Sequence, residues 1–130
     1  MSARAPGPTI EAFEALNFDA GGFDHEAHVY VAWSYLQQHD LLESIGRYRK
    51  TLKLLTSSLG VPDKYHETMT WFYMIAVSEH SMTTGPSDWS TFRAKNPALF
   101  ERSPSVINRF YSANRLKSID ARKMFVLPDL

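Results

Sequence analysis

The sequence predicts an all-α fold: a single-domain helical bundle of five to seven helices with a three-helix core. Three observations predict it. No stretch alternates apolar and polar residues as a half-buried strand does. Apolar residues recur instead at helical intervals, as in Leu41, Ile45, Tyr48, Leu52, Leu55 and Leu59. Residues that cap helices, Asp24 and Asp40 among them, stand just before such runs.

The elements follow in chain order. Residues 1–8, MSARAPGP, read as a flexible leader, because Pro6, Gly7 and Pro8 oppose regular structure. Residues 9–130 read as the helical domain. Thr9 caps a short helix, IEAFEAL, with Glu11 placed favourably for its dipole. NFDAGG is a turn. The second helix starts after Asp24 and runs to about Gln38, with Ala32, Tyr35 and Leu36 on the face shared by His25 and His28. Asp40 caps the third helix, and Gly60 with Pro62 stops it. The fourth begins near Asp63 to His66 and ends near Ser81; it is apolar on most sides, as a central helix is. WSTFRAK forms a short helix before Pro97. SPSVINRFYS forms another, with Ser103 as cap and Pro104 at the first helical position. Ser118 caps a last one, IDARKMF.

Composition bounds the function. Fourteen basic and fourteen acidic residues give no net charge, against the basic surplus of a nucleic-acid binder. The run of Arg47, Arg49, Lys50 and Lys53 reads as a solvated helix face. With no cysteine there are no disulfides and no thiolate metal ligands. The longest apolar run, WFYMIAV, is far short of the roughly 20 residues that span a membrane. A cytoplasmic protein without membrane attachment is expected, and a homodimer is the default assembly for a small aromatic-rich chain.

The chemistry concentrates in three histidines. His25 and His28 are three apart, so both imidazoles lie on one helical face and can reach one metal ion. His66 opens the fourth helix. An up-down-up arrangement makes helices two and four parallel and brings their N-terminal ends together. Three histidines and an open position describe a catalytic zinc site; two with a carboxylate, from Asp24 or Glu67, suit non-heme iron. Glu67 lies about 100° around the helix from His66, which suits a general base better than a co-ligand. Tyr65 and Thr70 are polar neighbours. HETMT lacks the second histidine of the zinc-protease pattern, its place taken by Thr70, so no protease is inferred. His39 and His80, near helix C-termini, read as structural. Trp33, Trp71, Phe72 and Tyr73 read as core.

The segments FDHEAHVYVAWSYL, KYHETMT, FYS and SIDARKMFVLPDL carry a resemblance. They resemble an uncharacterised family of small bacterial helical proteins with HxxH…AW, YHET and C-terminal PDL motifs. The resemblance covers roughly residues 11–130 and implies a short continuation beyond Leu130. It supplies a pattern rather than an activity. It adds Tyr111 and Arg122 as candidate site residues, with Arg122 read first as a structural residue paired with Asp129.

Two classes of function follow. The first is a small metal-dependent enzyme acting on a small-molecule substrate. His25, His28 and His66 hold a divalent metal, zinc or iron, that activates water or acts as a Lewis acid. Glu67 moves the proton, and Tyr65 or Tyr111 orients the substrate; hydrolase, lyase and isomerase chemistry all fit. The second is a non-catalytic module: a ligand- or metal-binding bundle, or a metal-free interaction domain.

Overall fold

A computed structural model describes residues 6–130. Among them the chain forms seven α-helices and four short 3-10 turns, with no strand. The helices are α1 (Ile10–Glu14), α2 (His25–Gln38), α3 (Leu41–Ser58), α4 (Glu67–Thr84), α5 (Trp89–Lys95), α6 (Ala113–Lys117) and α7 (Ile119–Lys123). No helix among the described residues is long and apolar enough to cross a membrane.

Each α-helix opens on a side chain that accepts a hydrogen bond from its first turn. The caps are Thr9, Asp24, Asp40, His66, Asp88, Ser112 and Ser118. Such caps satisfy amide groups that would otherwise lack partners, so these short polar residues fix where each helix starts.

The core lies between α2, α3 and α4. The two-residue link His39–Asp40 turns α3 back along α2, which puts Tyr48 of α3 beside His28 of α2. Helix α4 then runs parallel to α2. Tyr35, Tyr48, Met74 and Val77 are all but sealed from solvent. Phe13 from α1 joins them, its ring centroid 5.7 Å from that of Tyr48 and 6.2 Å from that of Tyr35. Aromatic rings supply much of this burial, each removing a large area from water. Phe92 of α5 closes the other side against Trp33.

Several local expectations change. Residues 1–5 of the expected leader lie outside the described residues, while residues 6–8 lie against α2. A Cβ at Gly7 would stand 3.2 Å from the Tyr30 ring and 3.3 Å from Ala27, so this close approach suits glycine. Helix α4 starts later than the sequence suggests. Pro62–Lys64 forms a separate 3-10 turn, Tyr65 and His66 are extended, and the His66 ring caps α4. Ser103 caps no helix. The chain forms a 3-10 turn at Val106–Arg109, where Asn108 Oδ1 accepts from the Ser105 amide at 3.0 Å and its hydroxyl at 2.9 Å. Helix α6 follows, unforeseen because five residues are too few to show a period.

The basic run on α3 is also more than a solvated face. Arg47 binds Glu14 through Nε at 2.9 Å and Nη2 at 2.7 Å, tying α3 to α1. Arg49 binds Glu67 and ties α3 to α4. Lys53 sits 5.7 Å from the centre of the Tyr65 ring. Lys50 and Lys53 are exposed, whereas Arg47 and Arg49 are half-buried.

Candidate functional site

The parallel starts of α2 and α4 flank a cavity of about 400 Å³. His25, His28 and His66 all line it. Helix α3 passes between them and contributes Tyr48 and Leu52, while Phe23, Tyr65 and Tyr73 supply further aromatic wall. The volume falls in the range of small-molecule sites, and the wall has their composition: mostly apolar, with a few converging polar groups.

Hydrogen bonds fix the state of each histidine. A carbonyl can only accept, so His25 carries its proton on Nε2 and donates it to the Leu99 carbonyl at 2.8 Å. Nδ1 of His25 has no hydrogen-bond partner among the described residues. The Tyr48 hydroxyl donates to the His28 carbonyl at 3.2 Å. Its oxygen therefore receives the Nδ1 proton of His28 at 3.1 Å, and Nε2 of His28 has no partner among the described residues. The fully enclosed polar atoms without partners there are Trp71 Nε1 and Ser81 Oγ, so neither imidazole nitrogen is sealed off.

Burial sets the charge of the His28 ring. It pushes the His28 pKa down to about 4, with nearby His25 adding to the effect, so His28 is neutral at pH 7. The ring packs 4.2 Å from Phe23, centre to centre, and His25 meets the edge of Tyr73 at 5.2 Å.

His66 is different. Its Nδ1 accepts the Met69 amide at 3.1 Å, and its Nε2 donates to the Leu116 carbonyl at 2.7 Å. Both nitrogens are occupied, and burial lowers its pKa as well. The structure thus brings the three histidines to one cavity without joining them into one ligand set. No group of three His, Cys, Asp or Glu side chains among the described residues is placed to hold a metal ion.

The remaining candidates lie apart. Both Glu67 oxygens stand 2.8 Å from Arg49 Nε, and the Tyr65 hydroxyl donates to Oε1. This carboxylate faces a separate groove, lined also by Lys53 and Arg122, rather than the histidine cavity. Tyr65 divides the two spaces and lines both. Its phenol is pushed well above the ordinary value by burial and by its bond to Glu67, so it stays protonated. The Tyr111 hydroxyl donates to the Val126 carbonyl at 2.7 Å, and its ring packs on Phe72, away from the cavity. Arg122 donates to the Asp63 carbonyl at 2.9 Å; Asp129 instead accepts from Ser112. His39 and His80 are held by Arg47 and Asn96.

Sequence reasoning missed Tyr48, Tyr73, Lys64 and Arg102 on the cavity wall. Tyr48 and Leu52 share the apolar stripe of α3 and read as core. Tyr73 lies two turns beyond His66, a spacing that could have flagged it. Arg102 comes from an irregular segment without a periodic signal.

No family model, no curated protein and no solved structure matches the chain.

Proposed function

We propose that the protein binds a small organic molecule in the histidine cavity. One observation carries this reading: an aromatic-walled space of about 400 Å³ lined by His25 and by a neutral His28 whose Nε2 has no partner among the described residues. Proton abstraction fits less well than binding. A general base works best with a pKa near the working pH, and that of His28, at about 4, lies some three units below neutrality.

The test is NMR of the histidine Cε1 protons during titration with a panel of neutral and charged fragments of one or two rings. The expected result is saturable shifts of His25 and His28, and no response from His39. Absence of saturable binding across the panel removes the reading.

The open nitrogens of His25 and His28 also favour a second reading. His25 and His28 would hold a divalent metal, zinc or iron, with water or substrate completing the shell and Lewis-acid chemistry as the function. His66 would have to give up two hydrogen bonds to join them. Elemental analysis of untagged protein separates the readings. Stoichiometric metal, lost in His28→Ala, supports the metal; ligand binding by metal-free protein supports the cavity.

A further inference from the structure

Most hydroxyls on the cavity wall are already engaged within the protein; that of Tyr73 donates to no group among the described residues. The hydroxyl protons of Tyr48, Tyr65, Thr56 and Thr70 are all donated to protein: to the His28 carbonyl, to Glu67, to Leu52 and to the His66 carbonyl. The lone pair of His28 Nε2 also remains inside, and it can accept a hydrogen bond and cannot give one. A ligand that fills this space must bring a donor, since a buried acceptor left unpaired costs roughly 1–3 kcal/mol.

The mouth has the opposite character. Lys64 and Arg102 line the cavity and are exposed. Neither forms an ion pair among the described residues, whereas Arg47, Arg49 and Arg93 each do. Asp24 is the one carboxylate on this wall, and its Oδ1 is engaged by the Ala27 amide at the start of α2. Asp24 is therefore partly matched by the positive end of that helix, which leaves the two cations at the rim.

Resting on the cavity reading above, we infer that the ligand is an organic acid with a ring-sized apolar body. Its anionic group meets Lys64 and Arg102 at the mouth, and a hydroxyl or N–H at its far end donates to His28. The aromatic wall of Phe23, Tyr65 and Tyr73 accommodates the body.

Four related probes test each part: 4-hydroxyphenylacetate, its methyl ester, phenylacetate and 4-methoxyphenylacetate. Isothermal titration should find the first at least about tenfold tighter than the others, the equivalent of one charge-assisted hydrogen bond. Arg102→Gln and Lys64→Gln should each erase the preference for acid over ester and leave ester affinity unchanged. Both positions are exposed, so the variants keep the fold. Ester binding as tight as that of the acid overturns the anionic end, and phenylacetate binding as tightly overturns the donor. If none of the four binds while neutral fragments do, the organic-acid inference falls and the cavity reading stands. If nothing binds, both fall.

Discussion

His28 shows how one residue couples the site to stability. In the folded protein its pKa is about 4, against 6.5 for an unperturbed ring. Between these values the unfolded chain holds one more proton than the folded one, so stability rises with pH. This contribution is complete above about pH 6.5 and is lost as pH falls towards 4, at up to roughly 1.4 kcal/mol per pH unit. The variant His28→Gln keeps a neutral polar side chain and removes the titration. Urea unfolding of both proteins from pH 7 to pH 4 should show the wild type losing more stability than the variant. Parallel curves would mean that His28 does not carry the effect. Glu14 behaves as a carboxylate does. The hydrogen bond from Arg47 holds its pKa below the ordinary value, and the stability it adds is lost only at lower pH, as it protonates.

At the scale of the element, helix ends were easier to read than helix lengths. Thr9, Asp24, Asp40 and Ser118 cap where their chemistry suggests, because a short acceptor beside an open amide acts locally. His66 is a cap of a less common kind, and this explains why it cannot serve as a ligand without fraying α4. Glycines give a paired prediction. Gly85 ends α4 at φ +81° and ψ 179°, a region open almost only to glycine. Gly46 lies inside α3, where an added Cβ meets nothing within 4 Å. Gly85→Ala should therefore lower stability by about 1–3 kcal/mol. Gly46→Ala should raise it by roughly 0.5–1 kcal/mol. Thermal unfolding of the two variants checks both signs.

At the scale of the whole molecule, the C-terminal segment locks the bundle. Thr68, fully buried near the start of α4, donates to the Met124 carbonyl at 2.9 Å and accepts the Val126 amide at 3.2 Å. Tyr111 holds Val126 from the other side, and Ser112 holds Asp129. Thr68→Val keeps the shape and leaves a carbonyl and an amide unpaired, a loss of about 1–3 kcal/mol. Hydrogen exchange should quicken first at Val126 and Leu130, before the core of α2 and α4 responds. Equal acceleration throughout would show that the segment is not a separate unit. This is also where Tyr111 finds its role: it anchors the tail that packs on the helix bearing His66.

The sequence by itself determined the helical class, the caps Thr9, Asp24, Asp40 and Ser118, and the central place of α4, because helix signals are local and repeat within a few residues. It also singled out His25, His28 and His66 as groups at the starts of α2 and α4. Only the tertiary structure decided what those groups can do. Hydrogen-bond partners come from distant segments: Leu99 for His25, Tyr48 for His28 and Leu116 for His66. These partners leave one nitrogen open on two of the rings and none on the third. In the same way Arg49, eighteen residues before Glu67, draws that carboxylate out of the cavity. A spacing can place a side chain on a face, but the proton on a ring and the partner of a charge are set by whatever the fold packs against them.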